Sequence, residues 1–161
     1  MKKVFQFYCL LCTAIFFSAC EQSRVFDKNI SLEKEGWFYG EKETFEVSVL
    51  DTNITYNLYI NVRHTDEYPY NNLWVNMTTV FPDSTIQENK VSVVLSESNG
   101  EWTGTCVDGI CFNSVLVQSN FLLDQKGKYT ISLEQDMRMN PLPFILSIGV
   151  KLEKFGVQHQ K

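Results

Sequence analysis

Apolar and polar residues alternate along most of this chain after residue 40. Phe45, Val47 and Val49 share one parity, with Glu46 and Ser48 on the other. Ile54, Tyr56, Leu58, Ile60 and Val62 point one way, and Thr55, Asn57, Tyr59, Asn61 and Arg63 point the other. The same period recurs in Leu73, Val75, Met77 and Thr79, in Val91, Val93 and Leu95, and in Tyr129, Ile131 and Leu133. It closes with Phe144, Leu146, Ile148, Val150 and Leu152. A period of two places successive side chains on opposite faces of a sheet, so each run predicts a half-buried strand. Residues 114–123 are read as a further strand. Between the runs lie Asp51-Thr52-Asn53, Phe81-Pro82-Asp83-Ser84, Ser98-Asn99-Gly100, Val107-Asp108-Gly109 and Gln125-Lys126-Gly127-Lys128, which carry turn chemistry. Two prolines make Met137 to Pro143 a loop, with Arg138 expected to reach a neighbouring acid. Strand, turn, strand without crossover helices predicts an all-β fold, a single antiparallel β-sandwich over residues 30–155. Ig-like and jelly-roll-like topologies both stay open.

The first twenty residues break this pattern. Lys2 and Lys3 precede an uncharged apolar run from Val4 to Phe17, then small residues Ser18 and Ala19, then Cys20. That is the order of a secretory signal peptide. The run is shorter than the roughly 20 residues of a membrane span. Small residues before a cysteine match a bacterial lipobox, so residues 1–19 are expected to be removed. Cys20 is then the lipid attachment site, carrying diacylglycerol on sulfur and an acyl chain on the new amine. One acyl chain binds a membrane only marginally, whereas two or more anchor it stably. Residues 20–29 are read as a lipidated tether and residues 156–161 as a polar tail.

Removal of the signal leaves about 140 of the 161 residues, enough for one domain with a sizeable core. It also takes the 14 basic residues to 12, against 19 acidic ones. The charges are scattered, without the basic stripe of a nucleic-acid binder, so no nucleic-acid partner is expected. Cys106 and Cys111 bracket Val-Asp-Gly-Ile. In an oxidising compartment such a pair predicts a local disulfide. The spacing is not CxxC and no histidine lies near it, which argues against redox chemistry and zinc. No metal or other cofactor is expected.

Residues 63–74 gather Arg63, His64, Asp66, Glu67, Tyr68, Tyr70 and Trp74. His64 is the one histidine outside the tail, where His159 lies. A Ser-His-Asp site needs a base held by an acid and aimed at a nucleophile, and no GxSxG elbow presents a serine. The simple expectation is that His64 caps a strand end in solvent and that the chain is not an enzyme. A hydrolase would require a polar pocket around His64. Pro69 and the Asn71-Asn72 pair suit a hairpin connection over residues 66–72, with Tyr68 and Tyr70 packed across it and Arg63 paired with an acid. Tyr, Trp and Arg also dominate interface hot spots. Tyr59, Arg63, Tyr68, Tyr70 and Trp74 therefore form a candidate partner-binding patch, and the two readings are compatible. Asn53-Ile54-Thr55 and Asn76-Met77-Thr78 fit a glycosylation pattern that has little meaning in a bacterium.

Arg63-His64-Thr65 and Tyr68-Pro69-Tyr70-x-Asn72-Leu73-Trp74 resemble the GldH family of gliding motility lipoproteins of the Bacteroidetes. Gly100-Glu101-Trp102-Thr103-Gly104, Gly127-Lys128-Tyr129-Thr130, Glu134-Gln135-Asp136-Met137-Arg138 and Ile148 to Lys154 follow in the order of that family. Cys106 stands where the family often has a second glycine after Trp-x-Gly. The resemblance implies a non-enzymatic envelope lipoprotein that assembles with other proteins of the gliding and type IX secretion machinery. It brings no catalytic residues. Glu21-Gln22-Ser23-Arg24 lacks the acidic run that marks surface export in that phylum, so a periplasm-facing position is expected, in either membrane. Asp83-Ser84-Thr85 is similar to the O-glycosylation acceptor of the same phylum. The alternative function is a glycan- or peptidoglycan-binding module that stacks sugars on Trp74 or Trp102.

Overall fold

The computed structural model describes residues 23–157. Nine strands form two antiparallel sheets: β1 (Arg24–Ser31), β2 (Glu43–Val49), β3 (Ile54–Thr65), β4 (Asn72–Val80), β5 (Ile86–Val94), β6 (Thr105–Val107), β7 (Ile110–Leu122), β8 (Gly127–Gln135) and β9 (Ile145–Val157). One sheet has the order β1-β9-β3-β7-β6 and the other β2-β8-β4-β5. They pack face to face as a sandwich, so the all-β expectation holds. Neither sheet closes into a barrel. Each predicted alternation supplies one wall of the core. Phe45, Val47 and Val49 of β2, Tyr56 to Val62 of β3, Leu73 and Val75 of β4, and Ile148 to Leu152 of β9 are all buried at their inward parity. At about 25 cal/mol per Å² of apolar surface, burying each such side chain contributes about 1.5–3 kcal/mol.

The turns sort the molecule into two ends. The near end carries residues 50–53, 81–85 and 123–126, together with Ser23 and Val157. The far end carries the longer connections 32–42, 66–71, 95–104 and 136–144 and the β6–β7 hairpin tip.

Three expectations are corrected. Residues 24–29, read as tether, belong to β1, whose partner along its whole length is β9. Its apolar residues Phe26 and Ile30 are spaced by charged and amide side chains, so local alternation does not announce it. β9 in turn continues to Val157 opposite Ile54, past the boundary set at residue 155. Finally, the parity of β9 breaks near its start. Arg63 faces Ser147 while His64 faces Ile145, which makes Leu146 the extra residue of a bulge. A one-residue slip exchanges the two faces of a strand. Ile145 is therefore buried and Phe144, at φ +70°, is exposed. Cys20 and His159 lie outside the described residues.

Candidate functional site

The motifs around residue 64 converge at the far end, and they do so inside the protein. His64 is fully buried rather than solvent-facing. It shares the inward parity of Ile60 and Val62 on β3. Its Nδ1 lies 2.8 Å from the Thr65 carbonyl oxygen and its Nε2 3.2 Å from Asn113 Oδ1. Asn113 is also buried, and its Nδ2 donates to Thr103 Oγ1 at 2.8 Å and to the Leu95 carbonyl at 3.3 Å. That fixes which Asn113 atom faces the imidazole. Trp102 meets the His64 ring edge-on with centroids 4.5 Å apart, and Tyr68 lies 5.7 Å away. Trp102 can lie there because Gly104 follows it. A Cβ at Gly104 would fall 2.3 Å from the Phe112 carbonyl oxygen.

The 66–71 connection is not the expected hairpin, since β3 and β4 lie in different sheets; it is a corner that crosses from one sheet to the other, with Tyr68 and Tyr70 packed in it. Tyr68 is buried, its hydroxyl donates to the Asn72 carbonyl at 3.0 Å, and Tyr70 packs on it in a T-shape at 5.5 Å. Burial, and secondarily the neighbouring Tyr70, push the Tyr68 phenol well above its ordinary value. Beside this corner, Gln135 ties two loops together. Its Nε2 donates to the carbonyls of Trp37 and Met139, and its Oε1 accepts from the Met137 amide at 2.9 Å. Trp37 and Leu142 exchange backbone hydrogen bonds of 2.9 Å, and both are fully buried. Trp37, Gln135 and Asn113 escaped the pattern reading. The glycines flanking Trp37-Phe38-Tyr39 were the available signal for the first.

The five predicted patch residues do not form one surface. Tyr68 is core, and half-buried Tyr70 covers it. Trp74 lies on the outer face of the four-stranded sheet, with Lys90 Nζ 5.3 Å from its ring centre. Tyr59 and Arg63 share the outer face of the five-stranded sheet, where Lys151 Nζ sits 4.0 Å over the Tyr59 ring. Arg63 enters none of the ion pairs among the described residues, so its expected acid partner is missing. Arg138 likewise finds no acid among them.

The outer face around Tyr59 and Arg63 is built on a polar ladder. β9 separates β1 from β3, and at its centre Gly149 has no side chain. Asn29 lies across it, since a Cβ there would fall 2.0 Å from Asn29 Oδ1. Asp27 Oδ1 on β1 reaches over β9 to accept from Asn61 Nδ2 on β3 at 3.0 Å, and Asn61 Oδ1 accepts from Ser114 Oγ on β7 at 2.8 Å. Asn61 is thereby buried at an outward parity. Cross-strand neighbours continue the face: Arg63 stands opposite Phe112, and Tyr59 opposite Leu116. Phe112 is 43% exposed and Leu116 47%. Arg63, Asn29, Ser147, Thr105 and Phe112 line a shallow concavity of about 620 Å³. The β6–β7 tip at its rim is joined by the Cys106–Cys111 disulfide. Among the described residues, no group of three His, Cys, Asp or Glu side chains is placed to hold a metal ion.

Comparison with known proteins agrees with the ordered motifs. The chain is similar to a gliding motility lipoprotein GldH homolog of Christiangramia forsetii, 29% identical over 96% of this chain and 98% of the relative. It is also similar to the gliding motility lipoprotein GldH of Flavobacterium johnsoniae, 26% identical over 90% of this chain and 94% of the relative. No solved structure matches it. The GldH lipoprotein family model matches residues 24–152. That span runs from the first residue of β1 into β9 and takes in the His64 corner, the Gln135 loops and the Gly149 ladder alike, and the chain therefore belongs to the GldH lipoprotein family.

Proposed function

We propose that this gliding motility lipoprotein is a scaffold rather than an enzyme. Lipid on Cys20 holds it at a membrane, facing the periplasm, and its five-stranded sheet docks another protein of the gliding and type IX secretion apparatus. The observation that carries this reading is the outer face of that sheet. An arginine with no acid partner among the described residues, a tyrosine and two half-exposed apolar side chains stand on a rigid, hydrogen-bonded frame. Arginine and aromatic groups on preorganised backbone are what hot spots use, because little side-chain freedom is lost on binding.

The burial of His64 supports the non-catalytic part. With both ring nitrogens turned to oxygen atoms inside the core, it is not placed to serve as a base for an outside substrate. Trp102 is half-buried and its ring is already engaged edge-on with His64, which speaks against sugar stacking there. The scaffold reading is tested with Arg63→Ala and Phe112→Ala in the lipidated protein. Each side chain is exposed, so folding is unaffected. Copurification of the partner should fall at least tenfold for the pair, a loss of about 1.4 kcal/mol or more. Undiminished copurification would exclude this face.

A further inference from the structure

The lipid site and the fold together orient the domain. Ser23 is already fixed to the sheet, since its carbonyl accepts from the Lys154 amide at 2.7 Å. Cys20 is only three residues earlier, and three Cα–Cα steps of 3.8 Å span at most about 11 Å. An anchor so short cannot let the sandwich turn over. The near end must stay at the bilayer, and the far end stands roughly 40 Å out, the length of a twelve-residue strand such as β3.

The near end carries the most exposed large apolar side chain among the described residues and two others more than half exposed, while Val107 at the far-end tip is 64% exposed. Leu50 after β2 is 82% exposed, Ile86 at the start of β5 62%, and Phe155 near the end of β9 59%. Leu122, at the end of β7, joins them at 41%. Two come from each sheet, so they ring the end rather than cluster on one side. Phe155 is the extra residue of a bulge, since Thr55 faces Gly156 and Tyr56 faces Lys154. The bulge re-aims it outward. Between these residues lie Asp51, Asp83 and Asp124 and also Arg24, Lys126 and Lys154, so charge gives no net pull in either direction. The short anchor from Cys20 to Ser23 selects the end that meets the bilayer, and apolar contact seats it there.

We propose that the near end is a membrane-seating surface: Leu50, Ile86, Leu122 and Phe155 enter the interfacial region of the bilayer and hold the sandwich upright, with the far-end loops directed into the periplasmic space. Apolar side chains at an interface add to the anchoring supplied by acyl chains and restrict rotation about them. This rests on the lipid reading of Cys20, and the experiment separates the two.

Leu50→Cys and, at the opposite end, Ser98→Cys are made singly in the lipidated protein and labelled with an environment-sensitive fluorophore. Each is bound to vesicles of phosphatidylcholine and phosphatidylethanolamine containing nitroxide-labelled lipid. The expected result is that the protein floats with the vesicles after a salt wash, that the label at position 50 is quenched and blue-shifted, and that the label at position 98 is neither. Adding Ile86→Glu and Phe155→Glu should reduce quenching at position 50 without preventing flotation. Flotation with no quenching at position 50, or with equal quenching at both positions, would overturn the seating while leaving the anchor intact. Failure to float would overturn the anchor and the seating with it. Shielding of position 50 in cell envelopes but not in vesicles would assign this end to a protein instead.

Discussion

Replacing His64 with leucine tests the claim that the most chemically suggestive residue of the chain is a structural hub. Leucine has a comparable volume, so no large cavity opens. Asn113 Oδ1 loses its partner, and Asn113 cannot rotate to recover because its amide donates to Leu95 and Thr103. One buried acceptor left unsatisfied costs about 1–3 kcal/mol. The edge contact with Trp102 adds about 0.5–1.5 kcal/mol. The total is about 3 kcal/mol, a large share of the 5–15 kcal/mol typical of a domain. Urea unfolding of the unlipidated mature chain, with the slope unchanged, measures it. His64→Leu combined with Asn113→Leu should cost less than the sum of the single variants, because the two residues share one interaction. A change below about 1 kcal/mol, as expected of a solvent-facing strand cap, would refute the hub.

Three further expectations follow from particular atoms. Gly149→Val places a Cβ against the Lys28 carbonyl at 2.6 Å as well as Asn29, so β1 should be pushed off β9, and amide exchange in residues 24–31 should accelerate while β4 and β8 stay protected; unchanged exchange in β1 would refute the ladder. Replacing Cys106 and Cys111 together by serine opens a loop with a sequence separation of 5, and the chain-entropy cost is only about 2 kcal/mol; a cooperative thermal transition should persist, and its loss would show that the staple does more than close a turn. Asp83 accepts from the Thr85 amide and from Gln125, which lowers its carboxyl below the ordinary 3.8. Its folded pKa is depressed, so any stability it contributes is present above 3.8 and is lost as pH falls through the lower folded value; a carboxyl titration by NMR that places Asp83 at or above 3.8 would contradict this.

Strand positions were legible because the period of two reports burial directly. The turns were legible because Asn, Asp, Gly and Pro set local backbone geometry. Even the burial of His64 was written in that period, since it follows Ile60 and Val62 at the same parity. What local pattern cannot carry is pairing across the chain. Nothing near Asn61 says that Gly149 will lie opposite and let Asp27 reach over an intervening strand. Nothing near Arg24 to Asn29 says that β9 will recruit them. The candidate patch failed for a related reason. Trp74 is separated from Arg63 by a corner that passes from one sheet to the other, so nearness in sequence placed the two on opposite outer faces.

Site-specific photocrosslinking in intact cells addresses the docking claim most directly. A photoreactive residue is placed at Phe112 on the five-stranded sheet and, in a second strain, at Ser132 on the outer face of the four-stranded sheet. The scaffold account predicts a discrete protein adduct from position 112 that disappears in Arg63→Glu, and no such adduct from position 132. An adduct from position 132 alone, or one from position 112 that is indifferent to Arg63, would contradict it.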